Sequence, residues 1–178
     1  MNKTDWENKS LVHIVLIGFI FNLLLGWWGA LYPHISMEQT VLFQLGNAFA
    51  ISASVMAARY TGLKGQQVAA SAYILLGITH GISLAALSKD GINADREATM
   101  AMPMIPALVF MLWCNLFPKW LRIAGLIPSM FFLIVYVTVH TGGSFHGWIL
   151  YSGYATLQIT EMLWGIYLYK DWKNGSAA

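Results

Sequence analysis

Six apolar stretches, each close to the length of a bilayer crossing, divide this sequence and leave a helical membrane bundle as the natural reading. They run Leu11–Tyr32, Thr40–Ala58, Val68–Leu87, Met100–Phe117, Ile123–His140 and Phe145–Tyr169. A helix needs about 20 mostly apolar residues to cross a hydrocarbon core of ~30 Å. Charge is scarce to match: Asp, Glu, Lys and Arg make up 10% of the 178 residues, whereas a soluble domain carries about 25%. Too few charges remain to coat a water-facing surface. Abundant apolar surface also argues against a disordered chain. The single cysteine, Cys114, cannot build a disulfide scaffold. The expected fold is therefore all-α: one transmembrane domain over residues 1–178, six spans, and a loose tail from Asn174 to Ala178. Pro103, Pro106 and Pro128 should kink or unwind the fourth and fifth spans, since proline removes a helical donor.

The loops supply an independent test. Lys3 and Lys9 precede the first span, Arg59 and Lys64 follow the second, Lys119 and Arg122 the fourth, and Lys170 and Lys173 the sixth. That places eight of the ten basic residues on one side. Lys89 and Arg96 fall on the other, among Asp90, Asp95 and Glu97. Short cytoplasmic loops are enriched in Lys and Arg, which predicts both termini inside a cytoplasmic (inner) membrane. Trp27, Trp28, Tyr32 and Trp148 fall near the expected outer interface, and Trp6, Tyr60, Trp120, Tyr167, Tyr169 and Trp172 near the inner one. A net charge of +2, with the basic residues dispersed in pairs, argues against nucleic acid as a partner.

In so apolar a chain the intramembrane polar residues carry most of the information. Tyr151, Tyr154, Gln158 and Glu161 recur at helical spacing, which predicts a polar stripe on the sixth span turned toward the bundle interior. Glu161 is the only acidic residue within any of the six stretches. Counted back from Tyr169, it lies ~12 Å above the inner boundary at ~1.5 Å per residue. His80, counted from Leu87, lies ~10 Å below the outer one, so the two stand ~8 Å apart in height. Imidazole titrates near neutrality and suits proton transfer. The second span offers Gln44, Asn47 and Ser54 on one face, the third Tyr73, Gly77 and His80, and the fifth Ser129, Tyr136 and His140. The first carries Asn22 in the row Gly18, Asn22, Gly26, Ala30, whose small residues also suit helix packing or a contact with a second copy of the chain. These faces are expected to converge on a shared polar cavity.

Histidines also gather toward the outer side. His140 and His146 flank the turn Thr141-Gly142-Gly143-Ser144, with His34 at a similar level and Met100, Met102 and Met104 opening the fourth span. Imidazole with thioether suits copper, and imidazole alone suits zinc or haem iron. Their spacing matches no established metal motif, and methionine is also an ordinary filler of apolar gaps. The chain has no Walker, dinucleotide-binding or nucleophile-elbow motif.

These features lead first to transport or permeation of a small solute or proton, centred on Glu161 and His80. Asn22, Gln44, Asn47, Tyr73, Tyr136, Tyr151, Tyr154 and Gln158 would line the path. The same residues suit an intramembrane enzyme of isomerase or hydratase type, acting on an apolar substrate with Glu161 and His80 as acid and base. A third reading makes His140 and His146 ligands of haem or copper. A fourth is an assembly subunit that makes contact through Gly18, Gly26 and Ala30.

Overall fold

The computed structural model describes residues 3–33, 36–86, 94–143 and 147–175. Among them the chain is helical, with no strand. In order come α1 (Lys3–Gly29), α2 (Met37–Leu63), α3 (Gln67–Ala86), α4 (Ala94–Phe110), a 3-10 turn (Met111–Trp113), α5 (Lys119–Ala124), α6 (Leu126–His140) and α7 (Gly147–Gly175). The 3-10 turn continues α4 and α5 continues into α6, so the chain forms six rods.

Helix ends follow local chemistry. Ser36 caps α2 by accepting a hydrogen bond from the Gln39 N–H, with Glu38 in the first turn. α2 ends where Gly65 turns to φ +75° and Gln66 N–H reaches back to Thr61 O; α6 ends alike, with Gly142 at φ +76° and Gly143 N–H on Thr138 O. Only glycine takes that left-handed conformation without strain. Several expected boundaries shift. α4 starts at Ala94, with Asp95 and Glu97 in its first turn, and regular helix ends at Phe110, well short of Phe117. Pro103 and Pro106 sit inside it; the chain leaves the helix at Cys114, whose ψ is 103°, ahead of Pro118. The fifth rod breaks at Gly125, one turn before Pro128, whose missing N–H leaves the preceding turn without a bond. Asn174 and Gly175 are the last residues of α7, and the rest of the expected tail, 176–178, lies outside the described residues.

Each rod packs on the next and the last returns to the first, so the six rods close a ring. Contacts fix an up-and-down order. Glu7 of α1 pairs with Arg59 of α2 at 3.9 Å, Gly62 faces Ala70 of α3, Gly153 of α7 faces Phe131 and Phe132 of α6, and His13 packs edge-on against Tyr169 and Trp172. Hence Lys3, Leu63, Gln67, Lys119 and Gly175 share one end, here the lower, and Gly29, Met37, His140 and Gly147 share the upper. Gly18 lies against Ala53 and Phe49, and Gly26 lies under the Gln158 side chain. Two of the three positions considered for a second copy are thus occupied within the chain; Ala30 is exposed.

The outward faces are apolar. Ile17 and Leu24 of α1, Ile74 and Ile78 of α3, and Ile127, Met130, Leu133 and Val137 of α6 are all exposed. Apolar surface on this scale fits lipid rather than water. Four helical segments are long and apolar enough to cross a membrane: Glu7–Gly29, Met37–Leu63, Gln67–Ala85 and Lys119–His140. α4 is shorter, and α7, which carries Gln158 and Glu161, is not among the four.

Candidate functional site

At mid-height a chain of hydrogen bonds crosses the interior. Glu161 of α7 is fully buried. Its Oε1 lies 2.8 Å from Nε2 of His80 on α3, and its Oε2 accepts from Nδ2 of Asn22 on α1 at 2.9 Å. On the far side of the imidazole, Nδ1 lies 3.0 Å from Oδ1 of Asn47 on α2. Four helices are joined through four side chains.

Local contacts fix the direction of each bond. The Asn47 amide nitrogen donates to Phe43 O at 2.9 Å, which turns its oxygen toward His80. An amide oxygen can only accept, so His80 carries a proton on Nδ1. The Nε2–Oε1 contact then shares a further proton, held as neutral Glu161 with neutral His80 or as carboxylate with imidazolium. Either way the pair has no net charge, the condition under which two ionisable groups are tolerated in an apolar interior. Side-chain exposure is 4% for His80 and 0% for Glu161.

Depths counted from Leu87 and Tyr169 separate these two residues by ~8 Å, yet they touch. The inner reference is at fault: α7 runs on to Gly175, beyond Tyr169. Measured from the helix ends at the lower face, Glu161 stands ~21 Å above Gly175 and His80 ~20 Å above Gln67. The two are level.

The other expected site residues divide. Tyr73 is fully buried on the His80 face of α3, stacked on Phe19 at 6.3 Å and edge-on to Trp164 at 6.0 Å between ring centres. Gln158 covers Gly26 one turn above Glu161. Gln44 is half-buried. Tyr154 turns to α4, donating to Glu97 Oε2 at 3.0 Å, with Met100 Sδ at 3.6 Å. Tyr151 is 41% exposed, so the stripe on α7 leaves the interior at its upper end. Tyr136 stacks on His140 at 4.2 Å and joins none of the bonds at the centre. What converges is a bonded cluster of Asn22, Asn47, His80 and Glu161.

Of the outer histidines, His140 is exposed and bonded through Nδ1 to Tyr136 O in its own helix at 2.9 Å. His34 and His146 lie outside the described residues. Among the described residues no group of three or more His, Cys, Asp or Glu is placed to hold a metal ion.

No protein-family model, curated protein or solved structure matches this chain. Its chemistry therefore rests on its own residues.

Two carboxylate positions stand outside the sequence-based candidates. Glu97, assigned by hydropathy to an outer loop, belongs to the first turn of α4 and bonds Tyr154. Asp171, on the last turns of α7, accepts from Tyr60 at 2.7 Å and pairs with Lys64 at 3.3 Å. The acidic first turn Asp95–Glu97 ahead of an apolar run is a helix-start signature that would have found the first. The spacing of Trp164, Leu168 and Asp171 along one face of α7 would have found the second.

Proposed function

We propose that this protein is an integral membrane bundle that carries a proton, alone or with a small solute, on the Glu161–His80 pair. All six rods cross the bilayer in this reading, and both termini lie in the cytoplasm. The observation that carries it is the 2.8 Å contact between two ionisable groups sealed at the centre of the ring. The setting supports it: the outward faces are apolar, and the lower end gathers Arg59, Lys64, Lys119, Arg122, Lys170 and Lys173.

The chemistry follows from the proton count. With one shared proton the pair is neutral and bonded. A second proton gives neutral Glu161 facing imidazolium: on Oε1 it breaks the Nε2–Oε1 bond, and on Oε2 it turns that bond into a weaker one to a neutral carbonyl oxygen and disturbs the Asn22 contact. Loss of the shared proton leaves a carboxylate facing the bare Nε2 lone pair, which repels. Either change weakens the link between α3 and α7. Protonation is thereby coupled to helix contact, the element a carrier needs to alternate between two states.

One observation favours a second reading. Asn47 fixes the imidazole tautomer from behind, as an orienting group does for a general acid–base histidine. The alternative is an intramembrane isomerase or hydratase working on an apolar substrate.

Proteoliposomes loaded with a pH-sensitive dye separate the two. Under an imposed proton gradient, Glu161→Gln should abolish flux while the protein still elutes as a folded species. Full flux in that variant would remove Glu161 from transport and leave the enzymatic reading in place.

A further inference from the structure

The polar atoms around the pair are unevenly satisfied. Glu161, His80, Asn22 and Asn47 all have partners. Toward the lower end, three fully buried side chains have a polar atom without any protein partner: Ser54 Oγ on α2, Tyr73 Oη on α3 and Trp164 Nε1 on α7. Their positions repeat the register of the pair. Ser54 follows Asn47 by seven residues, Tyr73 precedes His80 by seven, and Trp164 follows Glu161 by three. Seven residues are two helical turns, so each of the first two lies on the same face as its counterpart, ~10 Å lower. Ser54 faces Gly77, the small residue between Tyr73 and His80, with 3.6 Å separating its Cβ from the position a Cβ would take there.

Further down, Arg122 Nε, Trp172 Nε1 and Asn8 Oδ1 are also buried without partners. Of the described atoms buried without a close partner, Ser83 Oγ alone lies on the upper side of the pair, and it faces the Tyr154 hydroxyl. Buried polar groups in proteins are almost always satisfied, and those without a protein partner are satisfied by internal water.

We propose that Ser54, Tyr73 and Trp164 hold a file of internal water that connects Glu161 and His80 to the lower end, with Tyr73 as the proton relay. This rests on the pair being a proton site and specifies the side from which it is served. Each transfer conserves the hydroxyl. The Tyr73 oxygen accepts a proton from the water above as its own proton passes to the water below, and rotation about the C–O bond restores the start. Trp164, a donor only, anchors a water oxygen and carries no proton onward. Above the pair, Gln158 packs over Gly26, and the Tyr154 hydroxyl donates to Glu97 rather than to the pair.

The test reads access rather than transport. With the protein histidine-labelled with nitrogen-15 in lipid nanodiscs, saturation transfer measures how fast the His80 ring protons exchange with water; His80→Gln assigns the signal. Tyr73→Phe keeps the ring between Phe19 and Trp164 and should slow exchange about tenfold, equivalent to about 1.4 kcal/mol of barrier. Ser54→Ala should slow it in the same direction and decides the matter if Tyr73→Phe does not fold. Ser83→Ala should exchange at the wild-type rate. Wild-type exchange in both Tyr73→Phe and Ser54→Ala would overturn the proposal, as would slowing in Ser83→Ala, which places access at the upper end. Flux surviving in Glu161→Gln would defeat the transport reading without touching this result.

Discussion

The two sides of the ring are built differently. α1, α2, α3 and α7 are unbroken helices of 27, 27, 20 and 29 residues, and each gives one side chain to the central cluster. The opposite side is less regular: α4 passes into a 3-10 turn and leaves the helix at Cys114, and the 22-residue rod Lys119–His140 is interrupted at Gly125 between α5 and α6. Its buried residues are mostly apolar, among them Met100, Met104, Leu108, Phe132 and Val135. A chain of hydrogen bonds across four helices requires four side chains to agree in height and direction within a fraction of an ångström. Continuous helices hold that agreement; interrupted ones do not, but they fill space equally well. The division is thus between a side that positions and a side that packs.

The strongest way to break this comparison is to damage each side equally and watch proton movement. Glu161→Ala strands His80 and Asn22 in the interior and should lower stability by about 3–5 kcal/mol, the usual loss on removing one partner of a buried pair. Phe132→Ala empties a fully buried site on the other side and should also lose about 3–5 kcal/mol. Unfolding curves should therefore look similar. Proton flux per folded molecule should vanish only for Glu161→Ala; its loss in Phe132→Ala as well would erase the distinction.

Backbone approach gives a smaller effect. A Cβ at Gly18 would stand 2.8 Å from Ala53 Cβ and 2.9 Å from Phe49 O, atoms with no freedom to swing aside. Gly18→Ala should force α1 from α2 and destabilise by about 1–3 kcal/mol in chemical unfolding. At Gly153, between α7 and α6, the nearest atom is Phe131 Cβ at 3.2 Å, so Gly153→Ala should lose less.

The smallest effect sharpens the comparison most. Asn22→Ala should lose about 0.6–1.7 kcal/mol, the range for hydrogen bonds between membrane helices. Asn22 and Asn47 act on the two ends of one bonded chain, so a double-mutant cycle on that pair should show coupling above about 0.5 kcal/mol. Asn22→Ala with Phe132→Ala should be additive within about 0.5 kcal/mol. Equal coupling in both cycles would mean that the two sides are not separable.

The members of the central cluster were legible because charge and amide groups are rare in apolar helices and their spacing assigns them to faces. Asn22, Asn47, His80 and Glu161 all emerge that way. Their mutual height was not, because it depends on helix ends, and α7 extends through polar Lys170, Asp171 and Lys173 where hydropathy stops. Direction at a rim was equally hidden. Tyr151 and Tyr154 share the Glu161 face by count, yet one is exposed and the other turns to Glu97, a residue that hydropathy assigns to a loop. The breaks at Cys114 and Gly125 were foreshadowed by Pro103, Pro106 and Pro128, but proline announces a break without saying on which turn it falls.

The ring is closed by its last member. A chain emerging from the ribosome inserts α1, α2 and α3 long before α7, and those three already carry Asn22, Asn47 and His80. Glu161, which bonds Asn22 and His80, lies on the last helix to be made. Until it is made, Asn22 Nδ2 and His80 Nε2 lack the partner they have in the finished ring. Arrival of α7 supplies both partners from one carboxylate, so the last-made helix ties α1 to α3 at a single side chain.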